Sequence, residues 1–196
     1  MVGFSKIKPE YIEEAKPFAE KFIETTRSEE GNIFYHWYQD VKDESSGVAI
    51  SRFKSIEALQ AHSTSEIIKE AEPKFKEWAA IPPVVRVLKP DNIWAESKDG
   101  DENSVNIVAV IHVKPECIEA ARPAQAKLLE ATRKEPGCNR YDWYQDIKEP
   151  GVLVVIENYS TMEAFETHGG SAHLKEFVES SKELQSAPFE VKVLKG

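Results

Sequence analysis

The chain has 196 residues, of which 41% are hydrophobic and 30% charged, a composition of folded globular domains rather than of disordered segments. A net charge of -9 argues against a nucleic-acid partner, because phosphate binding needs a basic face. No apolar run reaches the ~18 residues of a membrane span, and Met1–Pro9 has no signal-peptide pattern. Cys117 and Cys138 stand without a CxxC spacing and read as reduced thiols, which points to a cytoplasmic protein.

In chain order, Val2–Ile7 reads as a short strand, and Ile12, Ala15, Ala19, Phe22, Ile23 and Thr26 follow at helical spacing. Pro17 lies inside that helix, where a proline costs about 3 kcal/mol, so a kink or a late start is expected. Gly31 is expected to end the helix in the left-handed cap conformation. Tyr35–Asp40 and Val48–Phe53 read as paired strands, a helical region follows, and Val84–Leu88 reads as a closing strand after Pro82.

The same series then recurs at an offset of 106 residues. Lys8-Pro9-Glu10 returns as Lys114-Pro115-Glu116, and Tyr35/Trp37/Tyr38/Gln39/Asp40 as Tyr141/Trp143/Tyr144/Gln145/Asp146. His62 returns as His168 and Val87-Leu88-Lys89 as Val193-Leu194-Lys195. Two copies at so long a period mean domain duplication, not a solenoid. The second copy has a strand at Val108–Val113 and a helix containing Pro123, ended by Gly137. Strands at Tyr141–Asp146 and Val152–Tyr159 come next, then a short helix capped by Thr161, helical residues 171–184 and a last strand at Val191–Leu194. The division expected is therefore a module at 1–90, a linker at 91–106 and a module at 107–196. Asp91, Glu96, Asp99, Asp101 and Glu102 mark the linker as solvated, while Ile93 and Trp94 are expected to pin its start to a domain surface.

Each module reads β-α-β-β-α-β, the ferredoxin-like α+β order with helices on one sheet face. The other face is left apolar, so the two sheets are expected to pair as an intramolecular pseudo-dimeric barrel, with further homo-oligomerisation open.

The ordered set Thr132-Arg133-Lys134-Glu135-Pro136-Gly137-Cys138, Tyr141, Ile156-Glu157-Asn158-Tyr159, Met162–His168, Ser171-Ala172-His173 and Ser186-Ala187-Pro188 resembles the antibiotic biosynthesis monooxygenase (ABM) family of dimeric α+β barrels. The resemblance covers residues 107–196 and, more loosely, 1–90. It implies a cofactor-independent monooxygenase acting with molecular oxygen on a small electron-rich aromatic, quinol- or anthrone-like. His168 is the proton acceptor in that reading, with His62 as its repeat partner. The bland reading of both is a helix-end histidine bonded to a backbone carbonyl.

Tyr141, Trp143, Tyr159, His112 and His173 are the candidate substrate contacts, with Tyr35 and Trp37 as their N-terminal equivalents. An aromatic stripe is more often core than ligand wall, although flat walls suit a polycyclic ligand. His112 is a contact only if the face it shares with Val108 and Val110 looks into the pocket. Ile67 stands opposite His173, Lys6 opposite His112 and Ser51 opposite Glu157, so the working site is expected in residues 107–196. No metal-ligand cluster of persuasive spacing appears, and no cofactor is expected. Ala109 and Tyr159 replace residues of heme-degrading members, and Ile23 and Leu129 replace the helix histidine of isomerising ones. A non-catalytic ligand-binding or stress-response module remains the alternative, with a small-molecule isomerase behind it.

Overall fold

The computed structural model describes residues 1–98, 100–101 and 103–195. Asp99 and Glu102, expected in the linker, and Gly196, the expected end of the second module, lie outside the described residues. The chain divides into two compact units, residues 1–86 and 87–195.

The first unit runs β1 (Val2–Lys6), α1 (Ile12–Ser28), β2 (Asn32–Asp40), β3 (Asp43–Phe53), α2 (Ile56–Ser63), α3 (Glu66–Trp78) and β4 (Val84–Arg86). Its strands pair antiparallel in the order β4-β1-β3-β2. The second unit opens with β5 (Leu88–Asn92) and continues with β6 (Val105–His112), α4 (Ile118–Thr132), β7 (Cys138–Asp146) and β8 (Val152–Tyr159). It ends with α5 (Met162–Gly170), α6 (Ala172–Ser181) and β9 (Glu190–Lys195), in the strand order β9-β6-β8-β7-β5. Both units are α+β modules with the element order that the repeat implies.

Local chemistry explains the boundaries. Ser55 and Thr161, at matched positions, accept hydrogen bonds from the backbone N–H of Ala58 and Ala164 and so start α2 and α5. Arg27 and Arg133, also matched, donate through Nε to the carbonyls of Tyr35 and Tyr141, tying each first helix to the aromatic strand beside it. In both modules the helix begins before its proline, at Ile12 and Ile118, each after a 3-10 turn that starts at Pro9 or Pro115, so the late start is not found.

The two glycine corners differ. Gly137 has φ +84, the left-handed conformation expected of it. Gly31 does not; a Cβ there would stand 2.3 Å from Ala58 Cβ, so its missing side chain serves close packing against α2.

The stretch Val84–Leu88 breaks at Val87, and Leu88–Asn92 becomes an edge strand on β7, pairing Leu88 with Asp146 and Lys89 with Gln145. Asp91 and Asn92 thus belong to a strand, and Asp91 accepts from Arg122 of α4 at 2.5 Å. Trp94 is pinned as expected: its backbone N–H donates to Asp142 at 2.6 Å and the Arg133 guanidinium lies over its ring. Ile93 is exposed.

Candidate functional site

In each module the helices cover one sheet face, and period-two alternation decides which strand residues look toward them. In the first module Gly3, Ser5, Trp37 and Ala49 share that face. The register sets Gly3 opposite Ala49, Ser5 opposite Gly47 and Trp37 opposite Ala49, which gathers four small residues into one patch. A Cβ on Gly47 would lie 2.1 Å from the Trp37 ring, so only glycine lets that indole lie across β3. Above the patch an apolar cavity of about 260 Å³ opens beneath α1 and α3.

Phe18, Phe22, Tyr35, Trp37 and Trp78 supply its aromatic walls. Phe18 meets Trp78 edge-on at 5.8 Å, and Phe22 lies 5.7 Å from Tyr35. Trp37 Nε1 donates to Ser5 Oγ at 3.4 Å. The buried Trp78 Nε1 has no hydrogen-bond partner among the described residues. Burial pushes the Tyr35 phenol well above its ordinary value, so its hydroxyl stays neutral.

His62, at the end of α2, borders this cavity. Its Nδ1 lies 2.8 and 3.1 Å from the two oxygens of Glu29, in the turn after α1. Donation of Nδ1–H to that carboxylate fixes the tautomer and leaves the lone pair on Nε2. Phe22 stands edge-on to the imidazole at 6.2 Å, and Phe53 lies 5.0 Å from it.

The second module keeps the dyad and places larger side chains at the matched floor positions. His168 Nδ1 lies 2.9 and 3.1 Å from the Glu135 carboxylate. Ala109, Ile111, Leu153 and Val155 replace Gly3, Ser5, Gly47 and Ala49, and all four are buried in one core cluster with Trp143. Trp143 is 1% exposed, where Trp37 is half-buried, and it packs edge-on to Phe177 at 6.0 Å. Tyr141 and Tyr159 flank His168 at 5.7 and 5.4 Å. They form part of this core, each buried and each with its phenol pushed far up by desolvation. Desolvation also lowers the His168 pKa, against the opposing pull of Glu135. Glu157 is buried, accepts from the Tyr159 hydroxyl at 3.0 Å, and is pushed up to about 8 by desolvation.

His173 joins the second module's dyad: its Nε2 is 2.6 Å from Glu135 Oε1. No metal-ligand cluster is legible by spacing, yet Glu135, His168 and His173 bring their ligand atoms within 4.8 Å of one another. His112 does not reach this group. It stands on the sheet face opposite Ile107, Ala109 and Ile111, with Nε2 3.1 Å from exposed Glu190 on the neighbouring strand. That face is not the helix-covered one, so the substrate-contact reading of His112 gives way to a paired sheet histidine.

The structure thus brings His62, Tyr35 and Trp37 to one cavity, and His168, Tyr141, Tyr159 and His173 to one buried cluster. Glu29 and Glu135 are missing from the sequence-based set of site residues, although both stand 33 positions before a matched histidine. Phe18, Phe22 and Trp78 are missing from it as well, because their helical spacing reads as ordinary core.

Comparison with known proteins gives the family and the fold. The model of the family described as "Antibiotic biosynthesis monooxygenase" matches residues 1–78 and 104–180. "Putative monooxygenase YcnE" of Bacillus subtilis (strain 168) is 35% identical over 83 residues, covering 42% of this chain and 87% of the relative. "Putative monooxygenase Rv0793" of Mycobacterium tuberculosis is 32% identical over 90 residues, covering 46% and 88%. Among solved structures, a "Putative monooxygenase" from Fusobacterium nucleatum superposes with TM-score 0.81 at 16% identity, covering 99% of this chain and 89% of the other. At that identity the match speaks to the fold alone.

Proposed function

The chain belongs to the antibiotic biosynthesis monooxygenase family, an assignment that carries a monooxygenase-type function, and from that premise we propose that it oxidises a small electron-rich aromatic in the cavity of its first module. The observation that carries this reading is the His62–Glu29 dyad set at the wall of a mostly apolar, aromatic-lined cavity. Its volume is near the lower end of the ~300–1,000 Å³ of small-molecule pockets, which suits a fused-ring ligand.

In this mechanism the substrate supplies the electrons. His62 Nε2 takes a proton from an acidic hydroxyl or ring methylene, with Glu29 stabilising the imidazolium. The resulting anion gives electrons to oxygen. For an anthrone-like methylene the balance closes without another reductant: CH₂ plus O₂ becomes C=O plus water. The carbon loses the four electrons that the two oxygen atoms gain. The apolar walls keep water from the anion, and Trp78, a lining residue whose buried N–H has no partner among the described residues, is one candidate donor to a substrate oxygen.

His168, Tyr141, Trp143 and Tyr159 then form the interior of the companion module instead of a working pocket. We place the site in residues 1–86 rather than in the 107–196 expected from sequence, because the apolar cavity lined by His62 supports that choice.

Oxygen uptake with a quinol and anthrone panel tests the assignment. His62→Gln is expected to lower the rate about 10²-fold or more, with His168→Gln within a few-fold of wild type. Equal rates for wild type and His62→Gln would overturn it, as would ligand-induced thermal stabilisation with no product in the mass spectrum. The latter result is that of a binding module.

A further inference from the structure

The second module carries a feature that the oxidation does not use. We propose that Glu135, His168 and His173 form a binding site for one divalent first-row transition ion, of the zinc or ferrous-iron class. The three donors come from three elements: the turn after α4, the end of α5 and the start of α6.

The three donor groups already converge, with their ligand atoms within 4.8 Å of one another. His168 Nδ1 and His173 Nε2 both face the Glu135 carboxylate, at 2.9 and 2.6 Å. Donors about 2.0–2.2 Å from a tetrahedral ion lie roughly 3.3 Å apart, so an ion requires both nitrogens to withdraw from the carboxylate and, from a separation of up to 4.8 Å, to approach one another.

The partners of the carboxylate point the same way. Each ion pair that Glu135 makes among the described residues is to a histidine, a residue that can itself ligate a metal. Two imidazoles and a carboxylate are a donor set for zinc, copper, nickel and iron rather than for magnesium or calcium. Three protein ligands leave a coordination position open, and Glu135 and His173 are both partly exposed, which provides an entry path.

The first module supplies the internal control. It keeps Glu29 and His62 but has Ile67, buried, at the position of His173. One ion per chain is therefore expected, not two.

The experiment uses the full chain without an affinity tag, stripped of metal by chelation. Zinc binding is measured by equilibrium dialysis with elemental analysis, and cobalt binding by its visible absorption, whose intensity reports a low-coordinate nitrogen and oxygen environment. About one equivalent is expected in wild type. At least a tenfold loss of affinity is expected in His173→Ile, which copies the first module, and in Glu135→Gln. Glu190→Gln, at the His112 surface pair, is expected to leave binding unchanged. His173→Gln repeats the test with a polar residue should His173→Ile melt early by circular dichroism. Absence of binding in wild type, affinity unchanged in both His173 variants, or loss of the ion in Glu190→Gln would overturn the proposal.

Discussion

The two modules share strand order, caps, arginine ties and a glutamate–histidine dyad, yet one borders a cavity with small floor residues and the other carries larger, buried side chains at the same positions. The difference lies in a few matched strand positions. Gly3, Ser5, Gly47 and Ala49 leave room under Trp37, whereas Ala109, Ile111, Leu153 and Val155 occupy that room and drive Trp143 fully inside. Duplication has thus let one copy keep an interior void, which costs stability, while its companion buries larger side chains at the matched positions. In the second copy, polar groups survive at the edge of the core, where His173 turns a dyad into a three-donor cluster.

The tryptophan pair should break the symmetry most. Trp143→Ala removes a buried side chain from a packed core and is expected to cost about 3–5 kcal/mol. Trp37→Ala, at a half-buried residue already facing space, is expected to cost less than half as much. Urea unfolding of both variants measures the comparison, and equal losses would mean that the two interiors are equally packed.

Glu157 and its counterpart Ser51 separate the modules by pH. Burial raises the Glu157 carboxyl from 4.5 to about 8, so between those values the folded chain keeps a proton that the unfolded chain has lost. Its contribution is fully present below pH ~4.5 and is lost as pH rises toward 8, at about 1.4 kcal/mol per pH unit. Glu157→Gln keeps an acceptor for the Tyr159 hydroxyl and should remove that slope, leaving the variant relatively more stable at pH 8 than at pH 5. Parallel stability profiles for variant and wild type would contradict the buried, protonated state.

The smallest effect expected is also the most direct test of the cavity. Ser5→Ile with Ala49→Val gives the first module the residues of the second at two floor positions. Ligand affinity and oxygen uptake should fall about tenfold or more, the equivalent of ~1.4 kcal/mol, without loss of thermal stability. A doubly substituted chain that binds and turns over normally would place the ligand elsewhere.

Much of this was legible in the residues. The offset of 106, the caps at Ser55 and Thr161, the element order and the two matched histidines all follow from local pattern, because capping and period depend on neighbours a few residues apart. The family resemblance was legible for the same reason. The left-handed turn expected of Gly31 was not found, because its side of the corner is set by the approach of Ala58, a contact 27 positions away. His112 was ambiguous from sequence, since alternation gives two faces without saying which one the helices cover.

The sequence by itself determined two α+β modules, their strand and helix order, and a histidine at the end of a short helix in each. Tertiary structure alone decided which module holds the cavity and which residues accompany each histidine. Whether a space is open depends on side-chain volumes summed over three strands and two helices in register. Pairs such as Glu29 with His62 and Glu135 with His168 meet only when the turn after a first helix is folded onto the end of a later one.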